Sequence, residues 1–307
     1  MAKFQIFTDS CSDLSTEDRK QYGVEYVQMH IVVDGEEMPA DLDWVAYKPE
    51  EFYGWLAAGR KIKTTQVPLT EFIDRFTPFL EKGIDILYIA CSSALSGSIN
   101  IFELAKQELL EKFPGRKIIG VDSLDGSITE GMCVMMAALK QQEGADIDEV
   151  AAYTMEVRNN FIQLATVETL SYLKEAGRIK ASKAVMGNLF HKKPIFISDA
   201  HGNNYTLGTV TGTKNADNEL VKGLKERLLK DKCNIVYIGQ GMAMERAEKM
   251  KARLLEEIKD IEVRIRWIGP IVGTTCGPGV FAVFGYSKEI TVFDGDGKTP
   301  GLDYSKL

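Results

Sequence analysis

The hydroxyls that invite chemistry are crowded into one loop, Cys91-Ser92-Ser93-Ala94-Leu95-Ser96-Gly97-Ser98. The loop follows the apolar, β-prone run Ile84 to Ala90 and precedes Ile101, Phe102, Leu104, Ala105, Leu109 and Leu110, which recur at helical spacing. A strand, a polar loop and a helix place hydroxyls and free backbone N–H groups at a helix N-terminus, where anions are favoured. A carboxylate or a phosphate suits such a loop. So does the plainer role of serines that only cap the helix.

Two further strand patterns, Phe4 to Thr8 and Lys117 to Val121, also end in Asp/Ser loops, carrying Asp9, Asp13 and Asp122. In an open α/β sheet, ligands bind beyond the carboxyl ends of strands. These aspartates suit acid–base work or, equally, the tying of loops. Cys11, Cys91 and Cys276 fall in candidate site loops, but no base lies near them in sequence, which favours small buried packing. A serine hydrolase would need a nucleophile elbow, and Ser96 sits in A-L-S-G-S rather than G-x-S-x-G. The three histidines, His30, His191 and His201, offer no evident triad partner. No Walker loop occurs, and no G-x-G-x-x-G follows the first strand.

The elements that must hold these loops alternate between strand and helix, which implies βα units and a mostly parallel sheet. Ser15 and Asp18 resemble a capping box for a helix to Tyr22; Val24 to Val33 is extended, and Pro49 to Ala58 is a short helix. Lys61 to Pro68 reads as a polar loop. Thr70 to Leu80 is amphipathic, and helices from Ile128 to Gln141 and Ile147 to Asn159 close the first half. From Phe161 the rhythm changes. A strand pattern over Phe161 to Val167 precedes a helix ending at Gly177 and a short helix over Ala181 to Phe190. A hairpin then pairs Pro194 to Ser198 with Tyr205 to Thr211, and helices near 214–230 and 243–258 alternate with strands near 234–239 and 261–268. Ile268 to Gly279, rich in glycine and proline, is either a loop that lets backbone approach a ligand or a tight turn before a strand over Val280 to Tyr286.

The expected architecture is therefore two α/β domains, 1–160 and 161–307. The first carries a mostly parallel sheet flanked by helices; the second is smaller, with a mixed or antiparallel sheet, and the last strand is free to return to the first domain. The 307 residues allow each domain its own core, and 45% hydrophobic with 26% charged residues is ordinarily globular. A net charge of −7 argues against a nucleic-acid or anionic-membrane surface as the main business. No apolar run approaches a membrane span, and Met1-Ala2-Lys3-Phe4 leads straight into a strand pattern without a signal-peptide core, so a cytoplasmic location is expected. Five cysteines, an odd count with no C-x-x-C pair, suit reduced thiols and offer no zinc pattern. Lys180, Lys183, His191, Lys192 and Lys193 form a basic cluster that would meet an anionic headgroup or a partner, or simply face solvent. Met132, Met135 and Met136 make a soft apolar helix, suited to core packing or to an adaptable hydrophobic tube.

Several segments together resemble the DegV family of bacterial fatty-acid-binding proteins. They are Thr8 to Leu14 (TDSCSDL), Thr64 to Pro68 (TTQVP), Ser92 to Ser98 (SSALSGS), Val121 to Ser123, Leu173 to Ile179 (LKEAGRI), Gly187 to Pro194 (GNLFHKKP) and Gly273 to Gly279 (GTTCGPG), in the family's order. The resemblance implies a long-chain fatty acid in a tunnel between two α/β domains, and no catalysis, cofactor or metal. It implies a carboxylate held by hydroxyls matching Thr64 and Ser96, with Thr65, Ser93, Gly97 and Thr275 around them. Met132, Met136, Phe190 and Ile271 become candidates for the acyl tunnel, and Arg178 and Lys192 for a partner-facing surface. The implied role is an intracellular carrier that presents the acyl group to a separate fatty-acid kinase, with transient membrane contact allowed. Three positions depart from the family pattern. Thr275 stands where a G-T-H-T-G-P-G form has His, Thr211-Gly212-Thr213-Lys214-Asn215 replaces a basic R-x-R-K-like stretch, and Val67 precedes Pro68. The rival reading is an α/β enzyme acting on a small acyl or phosphorylated substrate through Asp9, Asp122 or a loop cysteine. A module that only binds a protein partner comes third.

Overall fold

The computed structural model describes residues 4–179 and 191–292. In chain order, β1 (Phe4–Asp9) runs through a 3₁₀ turn (Ser10–Ser12) to α1 (Thr16–Tyr22), then β2 (Val24–Val27), β3 (His30–Val33), β4 (Glu36–Pro39), α2 (Pro49–Ala57), β5 (Ile62–Thr64) and α3 (Leu69–Leu80). Next come β6 (Asp85–Ala90), α4 (Ser98–Lys112), β7 (Ile118–Asp122), α5 (Ile128–Gln142), α6 (Ile147–Val157), β8 (Phe161–Thr166) and α7 (Ser171–Glu175). The last of the described elements are β9 (Lys192–Ser198), β10 (Asn204–Thr211), α8 (Thr213–Arg227), β11 (Ile235–Gln240), α9 (Met244–Glu257), β12 (Glu262–Trp267), α10 (Pro270–Cys276) and β13 (Phe281–Tyr286). Among the described residues no helix is long and apolar enough to cross a membrane.

Two compact units divide the chain. The first takes the chain up to Ala46, Ile62–Arg158 and Gly269–Ile271. Its main sheet is parallel, in the order β2-β1-β6-β7, and a small antiparallel sheet β4-β3-β5 accompanies it. Five of the six residues of β6 are buried, as a strand covered on both faces requires. Phe72, Phe76 and Leu80 line one side of α3 and build an aromatic core. Phe7 and Phe76 have ring centroids 4.7 Å apart, Phe72 and Tyr88 5.2 Å, and Tyr88 and Phe102 5.0 Å. Such pairs contribute about 0.5–1.5 kcal/mol beyond their area. Their consequence here is positional, because they fix the Tyr88 ring whose hydroxyl reaches the strand ends.

The second unit takes Tyr47–Lys61, Asn159–Ile268 and the chain from Val272 on. Its sheet has six strands in the order β10-β9-β8-β13-β11-β12, all neighbours antiparallel except β11 and β12. Leu220 and Leu224 of α8 and Met250 and Leu254 of α9 pack with Leu164, Ile195, Ile238 and Val283 in its core. The mixed sheet is as expected, and with six strands it is the largest of the three sheets among the described residues.

Four local expectations are corrected. The second unit, expected to be the smaller, is not, because it also takes Tyr47–Lys61 from the first half of the sequence. The last strand does not return to the first unit, because β13 is buried throughout and paired on both sides, with β8 and β11. It is Gly269–Ile271 that joins the first unit, while α2 joins the second. Ile62–Thr64, read as loop, is a three-residue strand that pairs Thr64 with Ile31, too short to show an alternating pattern. The Gly/Pro-rich stretch after Ile268 contains α10, which begins at Pro270 and is followed by Gly277 at φ +78°. Proline opening a helix and a left-handed glycine closing it mark a helix as well as a turn. The helix expected over Ala181 to Phe190 lies outside the described residues.

Candidate functional site

The ends of β1, β6 and β7 are bound together by aspartates from the β1 and β7 ends. Asp9 is fully buried; its Oδ1 accepts the N–H of Cys11 at 2.9 Å, and its Oδ2 accepts the N–H of Cys91 at 3.0 Å and the Tyr88 hydroxyl at 2.7 Å. Asp13, in the left-handed conformation at φ 52°, accepts the Ser127 hydroxyl at 2.6 Å and the N–H of Gly269 at 2.9 Å. Asp122 Oδ1 accepts the N–H groups of Ser93 at 3.2 Å and Leu124 at 3.0 Å. Burial raises the Asp9 carboxyl above its ordinary range against four opposing hydrogen bonds, and pushes Asp13 up to about 7. These acids hold loops together: the donors they face are groups of the fold itself.

Glu130 was not singled out from the sequence. It sits in α5, fully buried, with Oε1 accepting the Thr8 hydroxyl at 2.9 Å. Burial, then the neighbouring Asp9 charge, holds its carboxyl well above the usual range. The available signal was a lone acid at the head of the otherwise apolar run Ile128 to Ala138.

The hydroxyl loop is built differently. Gly97 caps α4 without a side-chain hydrogen bond of its own, and the Ser98 N–H is taken by Ser96 Oγ at 3.2 Å. Ser96 Oγ and Ser98 Oγ lie 3.0 Å apart, and Ser98 Oγ accepts the buried N–H of Val67 at 3.1 Å. A Cβ on Gly97 would stand 2.2 Å from Gln66 Oε1, so glycine admits the Gln66 side chain against the loop. The Gln66–Val67 segment and the Gly97–Ser98 turn are thus brought together. Thr64 and Thr65 are half-buried beside it, and Thr65 reaches the His30 carbonyl through its N–H at 2.9 Å. Ser96 and Gly97 are half-buried too, while Ser93 is exposed at the loop's apex. Hydroxyls, a glycine and the first turn of a 15-residue helix make a place suited to an anion.

The remaining expected residues are placed as follows. Thr275 lies on α10 in the second unit, its hydroxyl donating to the Val272 carbonyl at 2.9 Å. Met132 is buried in α5 and Met136 half-buried; Ile271 is buried in the first unit. Phe190 lies outside the described residues. Arg178 and Lys192 are exposed, Arg178 with its side chain turned to the Ala176 carbonyl. Of the basic cluster, Lys180 and Lys183 also lie outside the described residues, and Lys193 pairs with Glu168. The glycines after Ile268 answer to packing. A Cβ on Gly277 would stand 2.4 Å from the Tyr172 ring, and one on Gly273 2.7 Å from the Tyr53 hydroxyl. The second unit also holds an open cleft of about 610 Å³, bordered by Ala57, Glu168, Tyr172, Met242, Arg246 and Pro278, which nothing in the sequence foretold.

A family profile described as "Uncharacterised protein, DegV family" matches residues 3–288. The "DegV domain-containing protein CPE0026" of Clostridium perfringens is 33% identical over 292 residues, spanning 94% of this chain and 100% of that protein. Among solved structures, one described as showing fatty acid binding by a Thermus thermophilus protein of the same family superposes with a TM-score of 0.81 at 26% identity, covering 93% of this chain and 99% of the other. A stearic acid-binding protein from Eubacterium ventriosum shares the fold, with a TM-score of 0.82 at 24% identity over 92% of this chain and 97% of that one.

Proposed function

The chain belongs to the DegV family, and from that premise we propose that it binds a long-chain fatty acid, with the carboxylate held by Thr64, Thr65 and Ser96 at the start of α4. The observation that carries the reading is the junction of two distant segments: Val67 N–H meets Ser98 Oγ, and Gln66 meets Gly97. With Ser98 as donor to Ser96, the Ser96 oxygen accepts both the Ser98 hydroxyl and the Ser98 N–H. Its own O–H is then left to donate, which is the polarity a carboxylate needs. Gly97 and Ser93 complete the loop, and Thr275 is the further candidate from α10.

The energetics suit a lipid. Each buried CH₂ contributes about 0.8 kcal/mol, while hydroxyl and N–H donors offset the costly desolvation of the headgroup. Met132 and Met136, flexible thioethers on α5, and Ile271 are the candidate acyl contacts. In this reading the protein is a carrier, and any phosphorylation of the acyl group is left to a separate kinase, with the exposed Arg178 and Lys192 as candidates to face it. Denaturing extraction of the purified protein followed by mass spectrometry tests the proposal. A stoichiometric long-chain fatty acid is expected. Recovery of no lipid, together with no binding of added oleate or palmitate, overturns it.

A further inference from the structure

Beside the loops already described, the first unit gathers a second set of reactive groups that fatty-acid binding does not use. Cys11 Sγ and Cys91 Sγ lie 3.2 Å apart. One carboxylate oxygen of Glu130 lies with both sulfurs inside a span of 4.8 Å. All three side chains are buried. Glu130 Oε1 takes the Thr8 hydroxyl; Oε2, equally buried, meets no donor among the described residues, and the Glu130 carboxyl also faces that of Asp9. Asp9 stands behind both thiols. It accepts the N–H of Cys11 through one oxygen and that of Cys91 through the other, so a single carboxylate fixes the backbone from which both sulfurs project. Supporting contacts of this kind are what orients ligands in built metal sites. Small-residue packing does not explain two sulfurs and a buried acid converging on one point.

We propose that Cys11, Cys91 and Glu130 bind one thiophilic divalent cation of the zinc class. Zinc takes thiolate sulfur at about 2.3 Å and carboxylate oxygen at about 2.0–2.2 Å, so tetrahedral ligands stand roughly 3.5–3.8 Å apart. From the observed 3.2 Å the sulfurs need open by only about half an ångström, and the carboxylate oxygen already lies within 4.8 Å of both. On binding, the two thiol protons, and the carboxyl proton where it is held, leave to water, and no redox change is involved. Magnesium and calcium are disfavoured, because two of the three ligands are soft. The cation joins the end of β1, the end of β6 and α5, beneath the loops that carry the proposed carboxylate site. The sequence offered no such pattern, since Cys11 and Cys91 are separated by 80 residues and meet only through the parallel pairing of β1 and β6.

The test is cobalt titration of the full-length protein, stripped with chelator and kept reduced, with Co²⁺ as the spectroscopic stand-in for zinc. One equivalent should bring thiolate-to-cobalt charge transfer and the visible bands of tetrahedral cobalt, both displaced by Zn²⁺. C11S and C91S should lose the charge-transfer intensity, and E130Q should keep part of it at an affinity about tenfold lower or worse. Cobalt-edge X-ray absorption on the unaltered protein needs no variant to fold, and should find two sulfurs in the first shell. Absence of charge transfer overturns the proposal, as does a shell without sulfur or binding unchanged in both cysteine variants. A Cys11–Cys91 disulfide in the protein as purified, with no cobalt bound after its reduction, also overturns it.

Discussion

The backbone N–H of Val67 donates to the buried hydroxyl of Ser98 at 3.1 Å, across 31 residues of sequence. That single bond holds the strand-end segment carrying Thr64 and Thr65 against the first turn of α4. Ser98→Ala removes the acceptor while leaving the N–H of a fully buried valine without a partner. The expected cost is about 1–3 kcal/mol of stability. It should appear as a lower urea midpoint at unchanged slope. An unchanged midpoint would show that the junction does not depend on this hydroxyl.

The carboxylate assignment has its own test. Thr64→Val with Ser96→Ala keeps side-chain volume nearly constant and removes two hydroxyl donors. Affinity for a long-chain fatty acid should fall by about 1.5–3 kcal/mol per lost hydrogen bond to a charged group, roughly ten- to a hundredfold for one such bond. Affinity for an apolar analogue without the carboxylate should hold. Equal losses for both ligands would place the anion site elsewhere. Fluorescence displacement with the two ligands side by side gives the comparison.

Much of this arrangement was legible in the sequence, and the parts that were not share a cause. β6, α3 and α4 are announced by a buried apolar run and by helical spacing, because burial on one or both faces writes a period into the chain. The Asp/Ser ends of β1, β6 and β7 pointed to one neighbourhood for the same reason. β5 was missed because three residues cannot display a period, and its place is set by pairing with β3. α10 was missed because Pro270 and Gly277 are signals for both turn and helix boundary, and only the packing of Tyr53 and Tyr172 decides. Glu130 escaped because its partners, Thr8 and the two cysteines, come from two other strand ends. Long-range pairing is written in no local pattern.

Two glycines that look alike in sequence should behave differently on substitution. Gly97 has φ −83°, and the atom its Cβ would strike is the far end of an exposed glutamine, free to swing away. Gly97→Ala should therefore change stability little, by under about 1 kcal/mol, while displacing Gln66 from the site loop. Gly277 has φ +78°, and its Cβ would meet the Tyr172 ring at 2.4 Å. Gly277→Ala adds left-handed strain to a clash, and about 2–4 kcal/mol of destabilisation is expected. Thermal unfolding of the two variants beside the parent separates them. Comparable midpoints for both would contradict the packing argument.

The pH dependence of the first unit should carry a contribution from Asp43. Partial burial raises its carboxyl, but hydrogen bonds from Thr16 and from Arg19, the latter at 2.6 Å, outweigh that, and the net shift is downward. A carboxyl whose pKa is lower folded than unfolded binds fewer protons in the native state. Its stabilising contribution is therefore complete above the unfolded value near 3.9 and is lost as the pH falls through the folded value below it. Because Asp43 is largely exposed, the contribution is screened and modest. Asp43→Asn should be less stable than the parent near neutral pH, and the gap should narrow steadily as both are acidified from pH about 5 to about 3. Urea unfolding of the pair across that window reads the difference directly. A gap that stays constant, or widens toward acid, would mean that Asp43 acts through its shape and neutral hydrogen bonding and not through its charge.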